Sequence, residues 1–220
     1  GLLGEIRNCK VWANVSDGSG GGIRNPWNGN RVVNCLIFDN ETGTLGGGLY
    51  LDGIVDVVHC TIVGNRAKDD GAAIMVNQPP SASNPTYLVS SIVSGMIRPA
   101  PRDKKNLLTA VNCCFDSELT GDGVACTDCI FGENPKFVNA AAGDYHLKKR
   151  SPCRDAGLPV ADIRWKTGWE KSNLVDPEME GHPRALVSKV ENVGLDPIPD
   201  MGCYEHEVVL TDPGTLILVR

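Results

Sequence analysis

The sequence predicts an all-β fold, a right-handed parallel β-helix with an irregular C-terminal capping region, and three observations predict it. The first is a recurring segment: Asn8-Cys9-Lys10-Val11-Trp12-Ala13-Asn14, Asn34-Cys35-Leu36-Ile37-Phe38-Asp39-Asn40 and His59-Cys60-Thr61-Ile62-Val63-Gly64-Asn65. The second is a glycine-rich cluster ahead of an aliphatic residue in each copy: Gly20-Gly21-Gly22-Ile23, Gly46-Gly47-Gly48-Leu49 and Gly71-Ala72-Ala73-Ile74, always 14 residues from cysteine to aliphatic residue. The third is the period. The copies start 26 and 25 residues apart, and self-similarity at such a step means stacked coils.

Each element follows from this frame. Cysteine and the residue two further on share one face of a short strand, which pairs Cys9 with Val11, Cys35 with Ile37 and Cys60 with Ile62. Stacked coils would place Cys9, Cys35 and Cys60 in a buried column about 4.8 Å apart. Asn14, Asn40 and Asn65 close the strand. Asparagine tolerates left-handed backbone, and its amide reaches the same residue in the next coil, so a turn ladder is expected. The glycines make a second bend, and Ile23, Leu49 and Ile74 start another inward strand. His59 precedes Cys60 where other copies have Asn8 and Asn34, and is expected to face outward.

The frame then decays. Leu88 to Val93 resembles the same strand with serine in place of cysteine, delayed by a Pro/Ser/Asn-rich loop from Gln78 to Thr86. Ala110 to Phe115 opens a fifth coil after a basic loop from Arg98 to Lys105, and regularity ends near Gly132. About five coils are expected, roughly 24 Å tall. The organisation read from this is coils over 1–132, a capping region over 133–207 and a terminal hairpin over 208–220, where Asp212-Pro213-Gly214 separates two β-rich runs.

Composition excludes several classes. The 220 residues carry a net charge of −6 and no long basic run, so nucleic acid is not an expected partner. No apolar stretch approaches the roughly 20 residues of a membrane span. Aromatics are only 5%, too few for a compact sandwich core but suited to a bore of small and aliphatic side chains. Gly1 opens inside a repeat without a capping sequence, and upstream coils or other chains are expected to cover the first coil. Nine cysteines is an odd count, so at least one lies outside any internal pair. Cys113, Cys114, Cys126 and Cys129 form a second group with no histidine among them, which favours loop disulfides or free thiols over zinc.

Beyond position 133 the character changes. Asn134-Pro135-Lys136-Phe137-Val138-Asn139, Gly143-Asp144-Tyr145-His146-Leu147 and Ser151-Pro152-Cys153-Arg154-Asp155-Ala156-Gly157 follow closely, then Gly181-His182-Pro183-Arg184 and Asp200-Met201-Gly202-Cys203-Tyr204-Glu205. This ordered string resembles the C-terminal signature of secreted bacterial parallel β-helix proteins of the choice-of-anchor type. The resemblance implies a secreted or cell-surface chain of bacterial origin. Its fold serves adhesins, stalks and carbohydrate-active enzymes alike. Cys153 and Cys203 stand where that family often has alanine, which implies a disulfide tying the cap.

Few residues suggest chemistry. Asp69-Asp70 is the only adjacent aspartate pair and sits on a turn. The Asn-Thr-Asp and Gly-His-Gly segments that accompany a pectinase dyad are absent, so a solvated turn is the expectation. Asp52, Asp56, Asp69 and Asp70 lie on neighbouring stretches, and Asp69 with Asp70 are weak calcium candidates; no other cofactor is expected. No catalytic residue is assigned. Trp165 and Trp169, flanked by Arg164 and Lys171, form the candidate binding loop, suited to stacking on sugar rings or inserting into a partner, unless they cap the last coil. The expected function is a structural or binding module, a rigid rod for assembly, adhesion or polysaccharide contact. The rival is the C-terminal part of a polysaccharide lyase or glycosidase whose catalytic coils lie upstream, which three or more charged side chains converging on one face would favour.

Overall fold

The computed structural model describes residues 4–25, 28–78, 84–100, 107–159, 162–163, 180 and 198–205, and the backbone of Val208–Asp212 and Thr215–Leu218. It is an all-β parallel solenoid. The first sheet stacks Glu5–Arg7, Asn30–Val33, Val55–Val58, Thr86–Val89, Leu108–Val111 and Val124–Thr127. The second stacks Lys10–Trp12, Leu36–Phe38, Thr61–Val63, Ile92–Val93, Cys114–Phe115 and Ile130–Phe131. A third, narrow sheet holds Val15–Ser16, Glu41–Thr42 and Arg66–Ala67, and a fourth holds Ile23–Asn25, Leu49–Leu51, Ile74–Asn77 and Ile97–Ala100. The first two sheets therefore carry six rungs, and four of these extend to the fourth sheet. The sequence frame sets the register: Val11 pairs with Ile37, and Ile37 with Ile62.

One residue in the left-handed region makes every corner between the first and second sheets. Asn8, Asn34, His59, Ser90, Asn112 and Asp128 occupy it, with φ between 48 and 53°. Asparagine and aspartate accept this backbone readily; histidine and serine hold it because rungs on both sides fix the chain. The next residue turns into the bore. Cys35 Sγ donates to Val33 O at 3.2 Å, Cys60 to Val58 O at 3.4 Å, Cys113 to Val111 O at 3.3 Å and Cys129 to Thr127 O at 3.4 Å. Ser91 fills the same place in the fourth rung, its Oγ donating to Val89 O at 2.8 Å. Cys35, Cys60 and Cys113 pack in one core with Val32, Ile37, Val57, Ile62 and Leu88.

The asparagine ladder forms the next corner. Asn14 Nδ2 donates to Asn40 Oδ1 at 2.8 Å, and Asn40 Nδ2 to Asn65 Oδ1 at 2.9 Å. Asn40 Nδ2 also donates to Val11 O, and Asn65 Nδ2 to Ile37 O, both at 2.9 Å, so each amide ties two rungs. Glycine follows for steric reasons: Gly46 has φ 73°, and a Cβ on Gly48 would stand 2.6 Å from Ala73 O.

The described part of the C-terminal region lies along the flank of the solenoid. Lys10 Nζ of the first rung sits 5.8 Å from the Tyr204 ring, and the Phe38 ring of the second lies 5.2 Å from Tyr145. Cys203 N donates to Thr61 Oγ1 at 3.2 Å, Gly202 N to Ser90 O at 2.8 Å, and Asn112 Nδ2 to Ala156 O at 3.1 Å. Five successive rungs are contacted. The described part of the expected capping region covers outward apolar rows that a two-sided sheet cannot leave bare. Val33, Val58 and Val89 pack with Ile163, while Ile92 and Cys114 pack with Leu147, Cys153 and Met201. Cover of this kind also explains His59, expected on the outside yet fully buried.

Residues of the C-terminal signature mainly hold each other. Met201 N donates to Cys153 O at 2.9 Å, Gly157 N to Pro199 O at 2.8 Å and Asp155 N to Asp200 Oδ1 at 2.7 Å. Gly202 has φ 92°, and a Cβ there would stand 2.7 Å from Thr61 Oγ1, so the close approach to the solenoid requires glycine. Val208–Asp212 and Thr215–Leu218 form the expected hairpin, as a two-stranded sheet of their own and not as an addition to a solenoid edge.

Two substitutions test this packing by urea denaturation. Cys35→Asp leaves an unpartnered charge in the bore and is expected to cost about 3–5 kcal/mol, whereas Cys35→Ser, copying Ser91, costs about 1 kcal/mol. Equal costs would remove Cys35 from the bore. Asn40→Ala is expected to cost about 2–4 kcal/mol and Asn14→Ala, on the outermost rung, about 1 kcal/mol. An Asn40 variant no less stable than the Asn14 variant contradicts the ladder.

Candidate functional site

The flank segment creates a cleft against the second sheet. Phe137–Asn139 and Asp144–Leu147 pair antiparallel across the short 3₁₀ turn Ala140–Ala142, closed by Gly143 at φ 76°. This hairpin stands off the second sheet and leaves a space of about 690 Å³. Val63, Val93 and Cys114 are on the sheet side, with Phe137 and Tyr145 opposite. Asp116, Glu133, Lys136 and Lys148 bring charge to it. A space of this size suits a small ligand or one or two sugar rings.

Two of the four charges are committed to structure. Asp116 Oδ2 accepts from Ser94 Oγ at 3.0 Å and from Gly95 N at 2.8 Å. Lys136 Nζ donates to Arg150 O at 2.8 Å. Glu133 and Lys148 line the same space. Cys114 Sγ donates to Glu133 O at 3.8 Å. A hydrogen bond with Cys153 pulls the Cys114 thiol below its ordinary value despite burial, and the same contact, followed by burial, pushes Cys153 up.

A second polar cluster lies at the far side of the hairpin. His146 Nδ1 is 2.6 Å from Asp144 Oδ1 and Nε2 is 3.0 Å from Glu180 Oε2. The ring stacks on Tyr204 with centroids 4.0 Å apart. Partial burial opposes the charged ring, but the bonds to Asp144 and then Glu180 outweigh it, so the His146 pKa is raised. With both ring nitrogens facing carboxylates, the imidazolium satisfies both by donation.

The acids singled out in the sequence do not converge. Asp70 Oδ2 meets Arg98 Nε at 2.5 Å and its Oδ1 accepts from Gly71 N at 2.8 Å, which accounts for Asp70 without a ligand. Asp69 takes part in the backbone ladder through its N–H, 3.0 Å from Thr44 O. Asp52 accepts from Arg24 Nη2 at 3.3 Å and Asn77 Nδ2 at 2.9 Å, beside Tyr50. Asp56 is on the first sheet, fully buried and in register with Arg31. Burial pushes the Arg31 guanidinium down to about 10, against the pull of Asp56 and then Glu5. Among the described residues no three His, Cys, Asp or Glu side chains are grouped to hold a metal ion. Trp165, Trp169, Arg164 and Lys171 lie outside the described residues.

The expected Cys153–Cys203 disulfide is corrected. All nine cysteines are free thiols in this structure. Cys153 packs with Cys114, Ile92 and Met201, whereas Cys203 packs with Leu36, Val63 and Tyr145, so the two face different rungs. The second cysteine group divides likewise: Cys113 and Cys129 extend the bore column, Cys114 faces the flank and Cys126 is exposed. Sequence reasoning missed the cleft, because no local pattern gives the spacing between hairpin and sheet. Among the described residues no helix is long and apolar enough to cross a membrane. No protein-family model, curated protein or solved structure matches the chain.

The His146 clasp has a defined pH signature. A raised folded-state pKa contributes stability that is present below the unfolded value near 6.5 and is lost as pH rises through the folded value. The stability difference between the wild type and His146→Gln is therefore expected to be greatest near pH 6 and to shrink toward pH 9, read from denaturant midpoints. A difference that grows with pH contradicts the charged clasp.

Proposed function

We propose that this chain is a structural or binding module of a secreted or cell-surface bacterial protein, a rigid solenoid that assembles with further rungs or other chains and contacts polysaccharide. No catalytic step is assigned to its own residues. The observation that carries the reading is the apolar edge of the first rung. Trp12 is 55% and Val15 79% exposed, and Ile6, Cys9 and Val11 of the bore are only partly buried there. A parallel edge with apolar side chains is a template for another rung. The resemblance of residues 134–205 to secreted β-helix proteins supports the location. The flank cleft, with two aromatic rings beside Glu133 and Lys148, suits a sugar ring better than an extended peptide.

The rival is a lyase or glycosidase fragment, and one observation favours it: four charged side chains meet at one cleft. Against it, Asp116 and Lys136 are held by bonds to the fold. Light scattering over a concentration series, with turnover assays on a panel of acidic and neutral polysaccharides, separates the two. The module reading expects self-association that Val15→Lys weakens at least about tenfold, and no turnover. A monomer at high concentration whose polysaccharide cleavage is abolished by Glu133→Gln would put the enzyme in its place.

A further inference from the structure

The fifth and sixth rungs place three thiols at one end of the bore: Cys113 in the fifth, Cys126 and Cys129 in the sixth. In Val124–Thr127, Cys126 lies in register with Ala110, a buried bore residue. Asp128 turns the corner at φ 51°, and Cys129 takes the column place next to Cys113. Cys126 and Cys129 thus flank one corner, both on the bore side. Among the described residues no rung of the two long sheets follows. Accessibility therefore rises outward: Cys113 is buried, Cys129 partly buried and Cys126 exposed. Cys35 and Cys60, at the same column place, are sealed within the bore.

We propose that Cys126 and Cys129 are a redox-active dithiol that exchanges with external low-molecular-weight disulfides at this end of the solenoid, Cys129 attacking and Cys126 resolving. The site goes beyond the module reading and does not depend on it. The hydrogen bond from buried Cys113 outweighs partial burial and holds the Cys129 thiol down to about 7. Cys126 is pushed up to about 11, by desolvation at the rim and then by Cys129. The pair stands on its placement at either side of one corner with Cys126 exposed, and this asymmetry accords with Cys129 as the nucleophile, since the thiolate is the attacking form.

The exchange balances. Cys129 Sγ, as thiolate, attacks one sulfur of the external disulfide; a mixed disulfide forms and one external thiolate leaves. Cys126 loses its proton to solvent and attacks Cys129 Sγ, closing the Cys126–Cys129 bond and releasing the second external thiolate. Two electrons pass from the cysteines to the external disulfide, and two protons end on the released thiols.

The test incubates the reduced full chain with excess oxidised glutathione at pH 7, quenches with acid, alkylates and maps peptides. The expected first product is the Cys126–Cys129 link, with Cys35, Cys60 and Cys113 still thiols. Cys126→Ser is expected to trap the mixed disulfide on Cys129. Cys129→Ser is expected to slow capture at Cys126 at least about tenfold. Serine is tolerated at this column place, as Ser91 shows. Should Cys129→Ser fail to fold, the Cys126→Ser result decides alone, since Cys126 is on the rim. A Cys113–Cys129 link, a Cys129 that stays unmodified in folded Cys126→Ser, or wild-type capture rates in folded Cys129→Ser would overturn the proposal.

Discussion

The structure depends on the left-handed corner that joins the first and second sheets. One residue with φ near 50° reverses the chain tightly enough that the next side chain enters the bore in every rung. A rung that missed this corner would slip by one position and send its bore residues outward, since side chains alternate along a strand. The thiol column, the asparagine ladder and the glycine contacts are consequences of that fixed phase. Each places a small or bonding group where stacked backbones come closest.

The same constraint shapes the outside. Parallel strands with apolar residues on both faces need cover, and a column of valines and isoleucines on the outer rows would otherwise meet water. The chain supplies its own cover by running back along five rungs, from Asn112 to Lys10. The cleft is a by-product of this return, opening where the hairpin of residues 137–147 cannot follow the sheet closely. Residues such as Asp155, Asp200 and Glu205 serve the return path: Asp155 N–H bonds Asp200, and Asp200 N–H bonds Glu205 Oε1 at 3.0 Å.

Much of the solenoid was legible because its determinants are local and repeat. Cysteine, asparagine and glycine at fixed offsets give the bore, the ladder and the bend of the first three rungs directly. The later rungs were harder to read. Ser91 replaces the cysteine, strands shrink to two residues, and the Cys113-Cys114 doublet puts one thiol inside and the next outside. The last rung is harder to place because Cys129 keeps an asparagine at the frame offset, Asn134, but no glycine cluster and aliphatic residue follow to complete the repeat. The Cys153–Cys203 pairing failed for a different reason. Sequence proximity to the two ends of one motif says nothing about which rung each thiol faces, and that is fixed by the return path. The candidate site was almost invisible, since Asp116 and Lys148 meet only through tertiary packing.

The flank return, more than any single side chain, distinguishes this account from a solenoid with a loose or end-capping tail. Amide hydrogen exchange on the intact chain, resolved to short peptides, tests it most directly. Met201, Gly202 and Cys203 donate to Cys153 O, Ser90 O and Thr61 Oγ1, and their amides are predicted to exchange as slowly as those of Ile62 and Val89 in the rungs beneath. Exchange of residues 198–205 on the timescale of a free tail, with the rungs still protected, would contradict it.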